Sequence, residues 1–281
     1  MNITILGNGY VGKHLYETLS KHYNVSIHSK INLNYHDKNI LSDYLKTNKI
    51  NLVIGSFGFT GRPNIDEAEI KKPECWNLNV QIPLLVNMIC ADLKIPYTHI
   101  STGCVYNNYT KKWDETDIPN FGLFHPSSFY VKSKHAFELI SDQFPNTLLR
   151  IRLPFSSNLN EDRNLLNKLL KYDNLIDFCN SKTYLGDLSF AIKTMIDDGT
   201  ILSDKKQLFH MVNPYPLTTT EIISEMKKYG LQNKNWNIIE LDKLKTITPK
   251  SNCIITTIYK NNPMINALSE LEALQNCLKS N

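Results

Sequence analysis

The sequence lacks the features of a membrane protein, a zinc protein or a nucleic-acid-binding protein. No stretch approaches the roughly 18 uninterrupted apolar residues of a membrane-spanning helix. The six cysteines contain no CxxC pair, so the ligand spacing typical of metal sites is missing. The charges are scattered without a basic stripe and the net charge is only +4, which argues against nucleic acid as a partner. We therefore expect no metal, no membrane and no nucleic acid.

The overall composition is that of a globular domain with a substantial core. Of 281 residues, 42% are hydrophobic and 21% are charged, which excludes disorder as the dominant state. The N-terminal segment begins directly with apolar residues and lacks the layout of a signal peptide. Together with the dispersed cysteines, this predicts free thiols in a reducing, cytoplasmic setting.

A glycine-rich turn follows the first apolar run of the chain. Residues 3–6 predict a strand and residues 13–21 a helix, with the pattern GxGxxG between them. Glycine allows so tight a turn and a close approach to a pyrophosphate, to which the helix N-terminus offers free N–H groups. This position predicts dinucleotide binding. The assigned residues are Gly7, Gly9, Tyr10, Val11 and Gly12.

The end of the second predicted strand bears on the choice of cofactor. An acidic residue at this place would hold a ribose 2′-hydroxyl, but the chain has His28, Ser29 and Lys30 there. Ser29 and Lys30 can hold a 2′-phosphate. We therefore predict NADPH/NADP+ as the cofactor, with NADH as the alternative.

The alternation of predicted strands and helices indicates an α/β fold with a doubly wound parallel sheet. We assign residues 1–154 to the cofactor-binding domain. Residues 155–281 are less regular and are assigned mainly to a smaller C-terminal substrate-binding lobe. Segments at about 185–213 are expected to return to the first domain.

A tyrosine and a lysine lie one helical turn apart, at Tyr130 and Lys134. Positions i and i+4 share a helix face. A neighbouring ammonium favours a phenolate, so we expect Lys134 to lower the pKa of Tyr130 and make it a usable proton donor to a carbonyl. Thr102, at the end of a predicted strand, can hydrogen-bond the same carbonyl oxygen.

These residues resemble the extended short-chain dehydrogenase/reductase superfamily, which has a Rossmann fold. More specific segments resemble the bifunctional UDP-4-keto-6-deoxy-D-glucose 3,5-epimerase/4-reductases, which make UDP-L-rhamnose and also form the C-terminal part of plant rhamnose synthases. The resemblance covers nearly the whole chain. It is carried by residues 58–64 (GFTGRPN), 101–104 (STGC), 119–121 (PNF), 128–134 (SFYVKSK), 149–154 (LRIRLP), 156–164 (SSNLNEDRN) and 249–252 (PKSN).

The resemblance implies a two-part reaction on UDP-4-keto-6-deoxy-D-glucose. Cys104 and Lys168 would exchange the protons at C3 and C5, and hydride from NADPH would then reduce the C4 ketone. Which of the two residues acts at which carbon, and in which order, stays open. The resemblance also implies a homodimer. It places Phe57 and Gly58 at the cofactor and, at the substrate, Thr60, Arg62, Asn64, Asn79, Asn158, Arg163, Asn164, Ser251 and Asn252.

Two departures and three alternatives remain. The glycine turn is one residue shorter than the more frequent GxxGxxG of the family, and Ser56-Phe57 replaces small residues, so the preference for NADPH over NADH stays open. The alternatives are a dTDP-linked substrate, a GDP-linked substrate, and a non-catalytic NADP-binding regulatory subunit, which would have a degraded catalytic set. We expect a separate 4,6-dehydratase to supply the keto sugar.

Overall fold

The strands of the central sheet follow the short apolar runs of the sequence. The structure, a computed structural model, describes residues 1–62, 64–231, 235–240, 243 and 248–280. In chain order its strands are β1 (Asn2–Leu6), β2 (Asn24–His28), β3 (Leu52–Gly55), β4 (Tyr97–Thr102), β5 (Lys112–Trp113), β6 (Thr147–Ile151), β7 (Pro154–Phe155), β8 (Asn174–Leu175), β9 (Thr183–Tyr184), β10 (Gln207–His210), β11 (Asn237–Ile238) and β12 (Ile254–Ile255).

The main sheet has six parallel strands in the order β10-β6-β4-β3-β1-β2. Every residue of β3 and β4 is buried, as expected for strands that are covered on both faces. The strand order reverses next to β1, and the carboxyl ends of β1, β3 and β4 lie at one edge of the sheet. This confirms the predicted doubly wound α/β fold and identifies the edge where such sheets bind ligands.

Helices cover both faces of this sheet. They are α1 (Tyr10–Leu19), α2 (Lys38–Thr47), α3 (Glu67–Ile70), α4 (Lys72–Trp76), α5 (Ile82–Asp92), α6 (Phe129–Ile140), α7 (Leu165–Lys171), α8 (Leu185–Asp197), α9 (Thr219–Lys228) and α10 (Glu270–Lys279). Helices α1 and α8 pack together in a core cluster on one face, and α2 and α5 pack in a second cluster on the other. The apolar stripes of these helices supply both cores.

One long helical segment differs from its prediction. We expected a single helix over residues 74–93 with a kink at Pro83, but α4 passes through a π-helical turn, Asn77–Gln81, into α5. Pro83 lies in the first turn of α5, where proline is tolerated. The irregularity therefore comes from the π turn, a feature that is frequent at functional sites.

The second half of the chain forms a smaller core of its own. Phe155, Leu166, Ile222 and Leu274 belong to this cluster, which brings α7, α9 and α10 together. Helices α9 and α10 both start with a capping box, in which a hydroxyl and a carboxylate satisfy otherwise free N–H groups. Helix α8 packs on α1, and β10 pairs with β6, so part of this half belongs to the main sheet. The domain boundary at residue 154 stays a prediction.

A buried ion pair lies beneath the carboxyl edge of the sheet. Arg150 Nη2 is 2.5 Å from Glu138 Oε2, and both side chains are at most 5% exposed. The hydroxyl of Ser101 donates to Glu138 over 2.6 Å, and Arg150 Nη1 donates to Tyr106 Oη over 2.8 Å. These bonds fasten β4, α6 and β6 together, and buried charges of this kind persist only when paired and hydrogen-bonded.

The described residues contain neither a membrane-spanning helix nor a cluster of metal ligands. None of their helices is long and apolar enough to cross a membrane, and no three of their histidine, cysteine, aspartate or glutamate side chains come together as metal ligands would.

Candidate active site

The glycine turn connects β1 directly to α1. Gly7 has φ +105°, and a β-carbon at Gly12 would lie 2.0 Å from the Gly7 carbonyl oxygen and 2.5 Å from Ser56 Oγ. Gly9 differs, because its φ is −76° and a β-carbon there would meet nothing within 4 Å. Gly7 and Gly12 thus serve the close approach of helix and strands, whereas the space beside Gly9 is open.

The residues of this turn fit the pyrophosphate of a dinucleotide. No side chain caps the N-terminus of the ten-residue helix α1, so its first N–H groups point into the open space beside Gly9, where an anion is favoured. Tyr10, which we predicted at the cofactor, turns inward, and its hydroxyl donates to Ser156 Oγ over 2.9 Å. Val11 packs partly against the core. In both residues it is the backbone that remains available to the cofactor.

The segment after β2 carries the residues predicted for the 2′-phosphate. The Ser29 hydroxyl donates to Asn32 Oδ1 over 3.0 Å. Lys30 is exposed and lies close enough to His36 to help lower the pKa of that imidazole, after burial. The preference for NADPH over NADH stays a prediction.

Phe57 does not have the position expected of a cofactor contact. It is only 8% exposed, and its ring centroid lies 5.1 Å from that of Tyr35 and 5.7 Å from that of His99. The side chain fills the core beneath the sheet edge, because the chain after β3 continues the buried face of the strand. Gly58 follows it and is exposed, and a β-carbon there would lie 3.2 Å from Lys134 Nζ.

Tyr130 and Lys134 lie on α6 below this edge. The Ser128 hydroxyl accepts from Val131 N over 3.3 Å and so caps the helix. The Thr102 hydroxyl, at the end of β4, hydrogen-bonds Tyr130. Lys134 Nζ lies 3.3 Å from His99 Nε2. The structure thus brings together the three residues that the sequence predicted for carbonyl reduction.

The ionisation of this pair differs from the expectation. Burial is the main cause that raises the pKa of Tyr130, and Cys104 adds to the rise, while Thr102 and Arg163 oppose it. Burial also lowers the pKa of Lys134 to about 8. The expected net lowering of the Tyr130 pKa is therefore not found, because desolvation outweighs any contribution from Lys134. The result is a protonated phenol at neutral pH, which is the form that can donate a proton.

Cys104 lies in a 3-10 turn immediately after β4 and is partly buried. Its N–H donates to Thr102 Oγ1 over 3.1 Å, and its side chain interacts electrostatically with Tyr130. Arg152 donates from Nη1 to the neighbouring Gly103 carbonyl over 3.1 Å. A thiol, a phenol and a buried guanidinium therefore meet at the end of β4.

Three cations from two parts of the chain interact in series near Tyr130, and we name Arg62, Arg163 and Lys168 the cation cluster. Burial and then Arg62 lower the pKa of Arg163, whose charge also interacts with Tyr130. Burial and then Arg163 lower the pKa of Lys168, which is partly buried on α7. Like charges held this close destabilise one another unless an anion joins them. The carboxylates of Glu67 and Asp162 offset part of the charge on Arg163, and the positive charge that the cluster retains suits a negatively charged ligand.

Comparison with known proteins agrees with this arrangement. The sequence profile of the RmlD substrate binding domain matches residues 1–249. The chain belongs to this RmlD family. A trifunctional UDP-glucose 4,6-dehydratase/UDP-4-keto-6-deoxy-D-glucose 3,5-epimerase/UDP-4-keto-L-rhamnose-reductase of Arabidopsis thaliana is 30% identical over 203 residues, which is 68% of this chain and 29% of that protein. The chain spans about a third of the length of the curated relatives that it matches first.

Solved structures share the fold over the full chain. The L780 UDP-rhamnose synthase of Acanthamoeba polyphaga mimivirus superposes with a TM-score of 0.86 at 23% identity and covers 100% of this chain and 99% of its own. A dTDP-4-dehydrorhamnose reductase of Bacillus anthracis in complex with NADP superposes with a TM-score of 0.80 at 17% identity, over 100% and 99%. These neighbours confirm the fold.

Several predicted substrate residues of this RmlD-family chain are engaged in holding its backbone. Asn79 is fully buried, accepts from Phe59 N over 2.8 Å, and donates to Phe59 O and Ser133 Oγ over 2.9 Å each. Asn164, also fully buried, caps α7 and donates to the carbonyls of Ser156 and Asn158 over 2.7 and 2.8 Å. Both residues therefore position loops and do not present their amides to a ligand.

Ser251 and Asn252 are likewise engaged with the protein. The Ser251 hydroxyl accepts from Arg152 over 2.8 Å and donates to Tyr106 O over 2.6 Å. Asn252 Oδ1 accepts from Asn180 over 3.1 Å. They hold the fully buried Arg152 side chain in place, which the sequence pattern did not assign to the site.

The loop residues among the predicted set are less constrained. Thr60 is partly buried, and Arg62 and Asn64 are exposed, while Asn64 Oδ1 accepts from Asp66 N over 2.7 Å. Asn158 is exposed, and its Oδ1 accepts from Asn160 N over 3.1 Å. Pro63 of the GFTGRPN segment lies outside the described residues. Thr60, Arg62 and Asn158 thus remain candidates for substrate contact.

Proposed function

We propose that this chain reduces the C4 ketone of a nucleotide-linked 4-keto-6-deoxy sugar with NADPH, after exchanging the protons at C3 and C5. The observation that carries the proposal is the position of Tyr130. It lies at the carboxyl edge of the sheet, hydrogen-bonds Thr102, and interacts with Cys104 on one side and with Arg163 on the other. Groups for reduction, proton exchange and anion binding thus converge on one phenol.

In the reductive step, bound NADPH would supply the hydride that adds to C4. Burial keeps Tyr130 protonated, so its hydroxyl can give a proton to the carbonyl oxygen as negative charge develops there. The products are the C4 alcohol and NADP+, and the phenolate regains its proton from solvent. Thr102 donates a hydrogen bond to the same oxygen, and the ammonium of Lys134 stabilises the phenolate for as long as it exists.

For epimerisation, the C4 ketone makes the hydrogens at C3 and C5 acidic. One group removes a proton to give the enolate, and a second group returns a proton from the opposite face. We propose Cys104 and Lys168 for these two roles. Burial and Arg163 lower the pKa of Lys168, so the side chain exchanges a proton more readily near neutrality than an exposed lysine.

The cation cluster supports a sugar linked to a nucleoside diphosphate. Its two guanidinium groups, those of Arg62 and Arg163, suit a pyrophosphate, which they can bind through paired hydrogen bonds. We propose UDP as the nucleotide, since the Arabidopsis relative is named for UDP-linked sugars. A dTDP-linked sugar is the second candidate, because the Bacillus anthracis neighbour is named as a dTDP-4-dehydrorhamnose reductase. A 4,6-dehydratase activity would supply either substrate.

Incubation with UDP-4-keto-6-deoxy-D-glucose and NADPH in deuterated water tests the proposal. UDP-rhamnose with deuterium at C3 and C5 and stoichiometric NADPH consumption is the expected result. An unlabelled 6-deoxy sugar would leave a reductase and remove the epimerase step. If only the dTDP-linked sugar reacts, the UDP assignment is wrong. No turnover of either sugar while NADPH still binds would contradict the enzymatic function.

Single variants separate the two half-reactions. Tyr130→Phe should abolish reduction and leave proton exchange measurable, since the phenol acts only at C4. Cys104→Ser and Lys168→Ala should stop exchange while an epimerised keto sugar is still reduced. Cys179→Ser is the matched control, because Cys179 is also partly buried but bonds Pro216 O in the other lobe. Full-rate formation of rhamnose by Cys104→Ser would contradict the assignment.

A further inference from the structure

A histidine lies directly beneath the active-site lysine. His99, on β4, is fully buried. Its Nε2 lies 3.3 Å from Lys134 Nζ, and its Nδ1 lies 2.8 Å from the Tyr97 hydroxyl. Phe137 packs against the imidazole with ring centroids 4.8 Å apart. The ring is thus held from three sides, and one of its nitrogens is directed at the ammonium.

The chemistry of the partners fixes the roles of the two ring nitrogens. An ammonium has donors and no acceptor, so His99 Nε2 must accept from Lys134. The proton of the neutral imidazole then resides on Nδ1, which donates to the Tyr97 hydroxyl. Burial, followed by the charge of Lys134, holds the pKa of His99 well below its usual range, so the ring stays neutral and keeps this tautomer.

The Ile100 carbonyl is the second inward acceptor, also 3.3 Å from Lys134 Nζ. Two of the three ammonium protons are thereby directed into the protein. The third remains for the side on which Gly58 is exposed, where a β-carbon would lie 3.2 Å from Nζ. This is also the side from which a ligand at the sheet edge must approach.

We propose that His99 is a positioning residue which, as a neutral hydrogen-bond acceptor, keeps Lys134 charged and its free N–H aimed at the sheet edge. The inference rests on the proposed reductase function only in so far as the ammonium serves that reaction. Tyr97 completes the device, because its hydroxyl accepts the Nδ1 proton that this tautomer of His99 carries. The sequence motif that contains Lys134 does not include either residue.

Other groups also act on the Lys134 ammonium. Burial lowers the pKa of Lys134 to about 8, whereas Glu138 on the same helix and Cys75 on α4 raise it. Glu138 is held by Arg150 and is therefore a fixed contribution. Loss of the acceptor at residue 99 removes a hydrogen bond to the charged form, so the ammonium should lose its proton at lower pH.

The test is a pH titration of Lys134 in the whole chain, monitored by NMR of ¹³Cε-labelled lysine. The Lys134 resonance is assigned by its absence from the spectrum of Lys134→Met. His99→Leu should move the midpoint down by about one pH unit, a tenfold change in the protonation equilibrium. His99→Gln, whose amide oxygen can still accept a hydrogen bond from Lys134, should return the midpoint most of the way to its wild-type value. The alkaline limb of the kcat–pH profile for sugar reduction should move by the same amount.

Phe137→Leu is the matched control, because it disturbs the packing of His99 and leaves both hydrogen bonds in place. An equal shift in Phe137→Leu would overturn the proposal in favour of a purely structural role. An unchanged midpoint in folded His99→Leu would also overturn it. If His99→Leu does not fold, Tyr97→Phe decides: a smaller downward shift supports the proposal, and no shift refutes it.

This readout is independent of the proposed reaction. If the wild-type protein reduced no keto sugar, the lysine titration would still decide whether His99 governs Lys134. If the titration behaves as expected while turnover is absent, the proposed function fails and the positioning role stands.

Discussion

Replacement of Gly9 by serine should strengthen the fold and weaken the cofactor site at the same time. The backbone at Gly9 has φ −76° and ψ −171°, an extended conformation that any residue adopts. Apart from Gly9 and its two chain neighbours, no described residue places an atom within 4 Å of a β-carbon there. Serine at this N-cap position can accept from the first free N–H groups of α1. The gain in the free energy of unfolding should be a few tenths of a kcal/mol.

The same change should cost cofactor affinity. The serine hydroxyl occupies the N–H groups that the pyrophosphate would use, and the side chain enters the open space. Loss of one hydrogen bond to a charged group costs about 1.5–3 kcal/mol, so NADPH should bind roughly 10- to 150-fold more weakly. Titration of protein fluorescence with NADPH measures this, and urea denaturation of the free protein measures stability.

Gly12→Ala is the matched control, because it should lower the free energy of unfolding and leave the first N–H groups of α1 available to NADPH. Its β-carbon would lie 2.0 Å from the Gly7 carbonyl oxygen, a backbone atom that cannot move away cheaply. Overpacking of this kind costs about 1–3 kcal/mol, and we expect the upper end. Wild-type NADPH affinity in a folded Gly9→Ser protein would refute the placement of the pyrophosphate. If Gly9→Ser lost as much stability as Gly12→Ala, the conclusion that the space beside Gly9 is open would be wrong.

Three further predictions concern charge and buried hydrogen bonds. Reductase activity should fall as pH rises through about 8, where Lys134 loses its proton, as a kcat–pH profile can measure. Glu138→Gln should lower the free energy of unfolding by about 3–5 kcal/mol, because it leaves Arg150 buried without its charged partner. In the wild type, burial raises the pKa of Glu138 but Arg150 lowers it further, so the net shift is downward. The stability that this ion pair contributes is therefore present above pH ~4.3 and is lost as pH falls through the lower pKa of the folded state. Asn79→Ala leaves the N–H and carbonyl of Phe59 without their partner, so urea denaturation should give a loss of about 2–6 kcal/mol at about 1–3 kcal/mol per unsatisfied group.

The sequence allowed the fold, and the shared helix face of Tyr130 and Lys134, to be predicted because both depend on local patterns. Alternating strand and helix periods define a parallel sheet, and the i, i+4 spacing places Tyr130 and Lys134 on one face whatever surrounds them. The glycine turn was predicted for the same reason, since close packing at Gly7 and Gly12 permits no side chain.

The environment of these residues could not be read in the same way. Burial reversed the expected pKa shift of Tyr130, and burial depends on contacts between distant segments. A motif also names a residue without its orientation, so Phe57 was assigned to the cofactor and lies in the core, while Asn79 was assigned to the substrate and holds Phe59. His99 carries no signal at all, because a histidine in a buried strand has no spacing rule.

The first turn of α1 has a neighbour on each side. One side presents N–H groups to the open space at Gly9; on the other, the Tyr10 hydroxyl bonds Ser156, and Lys13 Nζ lies 3.8 Å from Glu161. Ser156 and Glu161 belong to the loop that leads into Arg163. The first turn of α1 therefore borders the open space at Gly9 and also contacts the loop that leads to Arg163. A substitution in this turn acts on both places at once, so its effects on cofactor binding and on the Arg163 loop have to be measured together.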